Sequence, residues 1–87
     1  MASFRIEFKK SAVKELHKIS KKDLQKILSK IEQLSVEQRP FGSEKLTAKE
    51  QYRIRYGRYR ILYSIVEKLQ IVCIVKVAHR KEVYRKF

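Results

Sequence analysis

The twelve residues YRIRYGRYRILY, from Tyr52 to Tyr63, decide how this chain is read. Aromatic and branched side chains alternate with arginines on both sides of Gly57-Arg58. That is the period of two half-buried strands joined by a two-residue turn of the Gly-X type. The turn places Tyr56 opposite Tyr59, Arg55 opposite Arg60, Ile54 opposite Ile61 and Arg53 opposite Leu62. Arg53, Arg55 and Arg60 then share one face of the sheet, and Ile54 and Ile61 share the other. Like charges directly opposite one another repel, and no acidic residue lies between Glu50 and Glu67 to relieve them. A merely solvated face gains nothing from such neighbours. The pattern points to an anion site, because the guanidinium fork matches phosphate oxygens.

Outward from the hairpin, a third strand spans Leu69 to Ala78, rich in β-branched residues. Upstream, Phe4, Ile6 and Phe8 alternate with Ser3, Arg5 and Glu7 as a strand does. Ser11 is placed to cap a short helix carrying Ala12, Val13, Leu16 and Ile19. Ser20 with Asp23 resembles a capping box, followed by an apolar helical stripe of Leu24, Ile27, Leu28, Ile31 and Leu34. Glu37 to Glu44, with Arg39-Pro40-Phe41-Gly42, reads as a loop. The close, HRKEVYRKF, suits a short terminal helix. The expectation is one α+β domain over residues 1–87: an N-terminal strand, a two-helix hairpin, then a three-stranded antiparallel meander completing one antiparallel sheet, and a short C-terminal helix.

Charge narrows the partner. The chain has 22 Lys and Arg against 9 Asp and Glu, a formal net charge of +13. That excess works against compactness and implies a polyanionic or acidic partner. Residues 9–35 hold eight lysines and no arginine, whereas six of the eight arginines lie at Arg53 or later. The helical half reads as a solvated shell and the strand half as the working surface. No apolar run reaches the ~20 residues of a membrane span, so no membrane partner is expected. The opening MASFRIEF lacks the apolar core of a signal peptide, which makes the cytoplasm the expected location. The single cysteine, Cys73, is expected in the core, and His17 and His79 offer no ligand set for a metal.

The tail supplies a second cluster. His79 ends the last long strand, and on a terminal helix Arg80 and Tyr84 project from the same side. These residues are expected at the rim of the arginine face. Phosphate-binding arginines with an imidazole and a phenol beside them suffice for chemistry on RNA. Cleavage there requires an aligned and deprotonated 2′-OH, neutralised phosphorane charge and a protonated leaving 5′-oxygen. Arginine suits the charge role and is a poor base, with a reference pKa above ~12.

The run KLTAKEQYRIRYGRYRILY, followed by KVAHRKEVYRKF, resembles the RelE branch of the RelE/ParE toxins of toxin–antitoxin modules. The likeness extends over nearly the whole chain, and rests on Lys45-Leu46, on YRIR followed by YRILY, and on HRKEVY. It implies the fold derived above and a metal-independent, cofactor-free endoribonuclease that cuts mRNA in the ribosomal decoding site, leaving a cyclic phosphate. Carried over residue by residue, it puts Arg53 and Arg55 at the paired basic strand positions. Arg60 falls on the phosphate-binding arginine, Arg80 on the arginine near the leaving group, and Tyr84 on the C-terminal tyrosine. His79 matches a His often seen before that arginine. Lys45, Arg58, Lys81 and Arg85 flank these as RNA-contacting residues. Some members carry lysine, able to act as base, where this chain has Arg53 and Arg55, and Ala48 stands where a Gly often follows the KL pair.

The resemblance also implies two partners: the ribosome with its mRNA and ribosomal RNA, and a cognate antitoxin. The antitoxin is expected on the apolar strip around Val72 to Val77 or on an uncovered helix face, with one of its helices covering or displacing the C-terminal helix. Two other readings stay open on sequence alone. One is a non-catalytic ParE-like toxin that poisons DNA gyrase; the other is a small RNA-binding module without enzymatic activity.

Overall fold

The computed structural model describes residues 3–46 and 50–79. The elements are β1 (Arg5–Phe8), α1 (Lys10–Leu16), α2 (Lys21–Gln33), β2 (Glu44–Lys45), β3 (Gln51–Tyr56), β4 (Tyr59–Val66) and β5 (Ile71–His79), with a single 3₁₀ turn at Glu67–Leu69. They build a five-stranded sheet in the order β1-β5-β4-β3-β2. The α+β class and the helical hairpin are as the periodicities require. The terminal-helix segment falls outside the described residues.

Three expectations need correction. The sheet is mixed, because β1 lies parallel to β5, with Arg5 opposite Ile71 and Phe8 opposite Ile74. Alternation reveals a strand but not its neighbour. The helical hairpin carries the chain across the sheet to its far edge, and the meander returns it to β1 in the same direction. The sheet also gains β2, where Glu44 pairs with Arg53 and Lys45 with Tyr52. Finally, the helix starts differ in their caps. Lys9, not Ser11, precedes α1, and Ser20 precedes α2 in extended backbone without a side-chain capping bond.

The hairpin register is the one the sequence dictates: Tyr56 opposite Tyr59, Arg55 opposite Arg60, Ile54 opposite Ile61 and Arg53 opposite Leu62. Gly57 has φ +55°, which L side chains rarely adopt and which the first position of this turn requires. Side chains alternate across the two faces. Tyr52, Ile54, Ile61, Tyr63, Ile65, Val72, Ile74 and Val77 pack beneath Ala12, Leu16, Ile27, Ile31 and Leu34 of the helical hairpin. This is the hydrophobic core. It uses up the strip from Val72 to Val77 expected for an antitoxin, since Val72, Ile74 and Val77 are buried within it. Cys73 lies between Val72 and Ile74 on the strand, so it takes the other face and is half-buried rather than in the core.

Two polar devices lock the layers. β1 pairs β5 only as far as Ile74, leaving the remainder of that edge to α1. There Glu15 accepts hydrogen bonds from the Val77 backbone N–H at 2.9 Å and from Lys76 Nζ at 2.7 Å. Covering an open edge also prevents strand addition. Glu15→Ala is expected to destabilise the fold by about 2 kcal/mol, because a buried backbone donor loses its partner. Urea unfolding checks this, and a change within error would show that water replaces the carboxylate.

The second device ties the 37–43 loop down. Arg39 donates from Nε to Tyr52 Oη at 2.9 Å and reaches Glu50 at 3.0 Å and Glu67 at 2.7 Å. Its guanidinium lies 5.2 Å from the Tyr52 ring centre. Tyr52 donates to Glu50 at 2.9 Å and stacks on Tyr63, centroids 5.8 Å apart. Tyr63 donates to the Gln38 carbonyl at 2.7 Å, and burial pushes its phenol up to about 12.

Candidate functional site

The face of the sheet opposite the helices carries the arginines. β3 delivers Arg53 and Arg55, and β4 delivers Arg60 directly across from Arg55, as strand alternation requires. The three differ sharply in exposure. The Arg55 side chain is 55% exposed and that of Arg53 is 20%, whereas Arg60 is 4% exposed. Among the described residues, Arg60 is the sole charged one that is buried. Its described contact is weak, from Nη1 to the neighbouring Tyr59 carbonyl at 3.4 Å. The Nε atoms of Arg53 and Arg60 are both buried without a hydrogen-bond partner. An unpaired buried guanidinium donor opposes folding unless an acceptor meets it. Both donors belong to the arginine face of the sheet.

One member of the site was not legible from the hairpin itself. Glu44, opposite Arg53 in the β2–β3 register, bonds Arg53 Nη2 at 3.0 Å and Arg55 Nη2 at 3.2 Å. The repulsion between these arginines is therefore relieved by a carboxylate from outside the hairpin. The bond from Arg53 and its positive charge hold the Glu44 carboxyl below the usual carboxylate range. Arg60 has no share in this bridge. The Leu46 N–H donates to the Gln51 carbonyl at 2.9 Å, continuing the β2–β3 pairing that brings Glu44 over.

The other candidates separate. Lys45 lies at the edge on β2, with Nζ 3.5 Å from Glu50. Tyr52 and Arg39 hold the Glu50 carboxyl low, so it remains an anion beside that lysine. Arg58 is exposed at the hairpin tip. His79 does not join the arginine face. It sits opposite Tyr59, whose neighbours in the alternation are core residues, and the two rings meet edge to face with centroids 5.7 Å apart. Ala78, not His79, lies opposite Arg60. Arg80, Lys81, Tyr84 and Arg85 lie outside the described residues. The structure thus gathers Arg53, Arg55 and Arg60, adds Glu44, and places His79 across the sheet. No described helix is long and apolar enough to cross a membrane.

Two helices over one face of a five-stranded mixed sheet is the architecture of RelE toxins. Isolated RelE of E. coli shares it with a TM-score of 0.81, covering 97% of this chain and 94% of that one at 20% identity. The chain belongs to the ParE toxin family of type II toxin–antitoxin systems, whose model matches residues 6–84. Within that family it is RelE-like. A Methanocaldococcus jannaschii protein described as a candidate toxin, RelE1, is 30% identical over 88 residues, covering 94% of this chain and 96% of the relative. The toxin–antitoxin complex RelBE2 of Mycobacterium tuberculosis matches with a TM-score of 0.78 and 27% identity, over 90% of this chain and 99% of that one. The RelE–RelB complex of Pyrococcus horikoshii matches with the same score and identity, over 90% and 96%.

Proposed function

We propose that this toxin is a ribosome-dependent endoribonuclease that cuts mRNA in the decoding site, without a metal, by attack of the 2′-oxygen on the adjacent phosphorus. The bond from phosphorus to the 5′-oxygen breaks, a 2′,3′-cyclic phosphate forms, and the 5′-oxygen leaves with a proton. The observation that carries this reading is the pair of buried, unpartnered Nε donors on Arg53 and Arg60. They are donors fixed in place before charge develops, in surroundings that exclude water, where they are most effective. Arg60 takes the scissile phosphate. Arg53 and Arg55 hold the flanking backbone, while Lys45 and Arg58 extend the contact. Arg80 and Tyr84, assigned through family resemblance, complete the site at the leaving group. The arginines stay protonated, so they neutralise charge and do not act as the base.

The proposed partners follow. The +13 charge draws the chain to ribosomal RNA, with a steep salt dependence. Its antitoxin is a RelB-like protein, as in the complexes from M. tuberculosis and P. horikoshii. Primer extension on a message being translated, with the toxin induced, tests the reaction. Cuts in register with codons are expected, and their absence would overturn it. The ParE name of the family favours one rival, a toxin acting on gyrase. DNA breaks without mRNA cuts would establish that one instead.

A further inference from the structure

The hairpin tip carries a second recess, on the face opposite the arginines. It has a volume of about 510 Å³ and is lined by Asp23, Tyr56, Gly57, Arg58, Tyr59 and His79. Pockets of about 300–1,000 Å³ suit small organic ligands, so one nucleotide fits. Its walls are chemically mixed. Tyr56, Tyr59 and His79 supply ring faces, and cross-strand pairing of Tyr59 with both Tyr56 and His79 fixes them side by side. Tyr56 and Tyr59 are packed against the core and so do not swing freely. Asp23, in the first turn of α2, makes no hydrogen bond or ion pair among the described residues. Its charge suits the helix N-terminus. That alone does not explain why an unpaired carboxylate faces a recess in a chain of charge +13.

We propose that this recess holds one base of single-stranded RNA, and that Asp23 selects a base bearing an exocyclic amino group over uracil. Unstacked bases are bound by aromatic faces and read by hydrogen bonds along their edges. A carboxylate only accepts hydrogen bonds. Adenine, cytosine and guanine each offer it an amino group. Uracil offers one N–H between two carbonyl oxygens, which the carboxylate repels. Arg58 at the tip meets a flanking phosphate. The recess is next to the arginine face along the chain, since Tyr56 follows Arg55 and Tyr59 precedes Arg60. A strand held there by its phosphates can turn one base over the tip. An acidic peptide is disfavoured by the same carboxylate.

The inference deepens the RNA-cleaving reading and takes its ligand class from it, yet its test needs no ribosome. The full chain is titrated separately with AMP, CMP, GMP, UMP and inorganic phosphate, while the His79 imidazole and Tyr59 ring resonances are followed. The three amino-bearing nucleotides are expected to shift both rings at concentrations about tenfold below UMP, the worth of one charge-assisted hydrogen bond. Asp23→Asn, whose amide can also donate to a uracil carbonyl, should bring UMP to within about twofold of the others. Equal response to all four nucleotides, shifts reproduced by phosphate alone, or a preference unchanged in Asp23→Asn would each overturn the proposal. The two readings fail separately. A chain that discriminates against UMP but cuts no mRNA keeps the recess and loses the nuclease. Codon-register cleavage without nucleotide discrimination does the reverse.

Discussion

Replacing Arg60 with methionine is expected to lower mRNA cleavage by about 10²–10³-fold, the loss typical of one charge-stabilising donor in a water-excluded site. The same change is expected to leave the fold as stable as before or more so. Arg60 is 4% exposed, its Nε has no partner, and its Nη1 makes one long bond to the carbonyl of its own neighbour. Desolvating a guanidinium costs free energy that this bond does not return, whereas methionine fills similar space beside Leu62 and Ala78 without the charge. Replacement of buried charges by apolar residues of similar volume is often stabilising, by about 1–4 kcal/mol. Opposite signs for activity and stability mark a residue kept for function.

The measurement pairs single-turnover cleavage on programmed ribosomes with urea unfolding of the free chain. A fold weakened by more than about 1 kcal/mol with cleavage intact would make Arg60 a structural residue after all. Arg53→Met should have a milder effect on both counts, since Nη2 of Arg53 already has Glu44, although its Nε is buried without a partner. The comparison separates the phosphate at the centre of the site from its flanks.

The hairpin was readable because three local signals agree there. Alternation sets the faces, Gly57 supplies the positive φ, and a two-residue turn fixes the register. The helical stripe was readable for the same kind of reason, although Leu28 lies at its margin, 37% exposed. What could not be read depends on partners distant in sequence. A two-residue strand has no period, so nothing in Glu44-Lys45 announces that it pairs with β3. The parallel placement of β1 depends on the return path of the whole chain. Arg39, in an irregular loop before Pro40, gave no sign that it would anchor Tyr52, Glu50 and Glu67. His79 illustrates the limit within a strand. Its nearness to the hairpin tip followed from the meander, but its face depends on parity. That parity is interrupted by the irregularity beside Leu62 and Tyr63.

Glu44 makes a prediction that the arginines alone would not. Its carboxylate occupies the donors of Arg53 and Arg55 that the proposed function assigns to RNA phosphates. RNA must then displace an internal anion, and binding to the free chain is weaker than three arginines would give. Glu44→Gln removes the competing charge while keeping the shape. It is expected to tighten binding of a short single-stranded RNA by about fivefold and to steepen the salt dependence by about one ion per site, since a released counterion replaces the displaced carboxylate. The pH dependence has a definite sign. The folded-state carboxyl is held low by Arg53, so its bridge is fully present above the ordinary carboxylate value and is lost as pH falls through the lowered one. Wild-type affinity for RNA should therefore rise as the solution is acidified through that range, and Glu44→Gln should lack this component. The contrary result is equally clear. Weaker binding in Glu44→Gln would mean that the carboxylate aims the two guanidinium groups rather than competing for them, and β2 would then be part of the binding site rather than its guard.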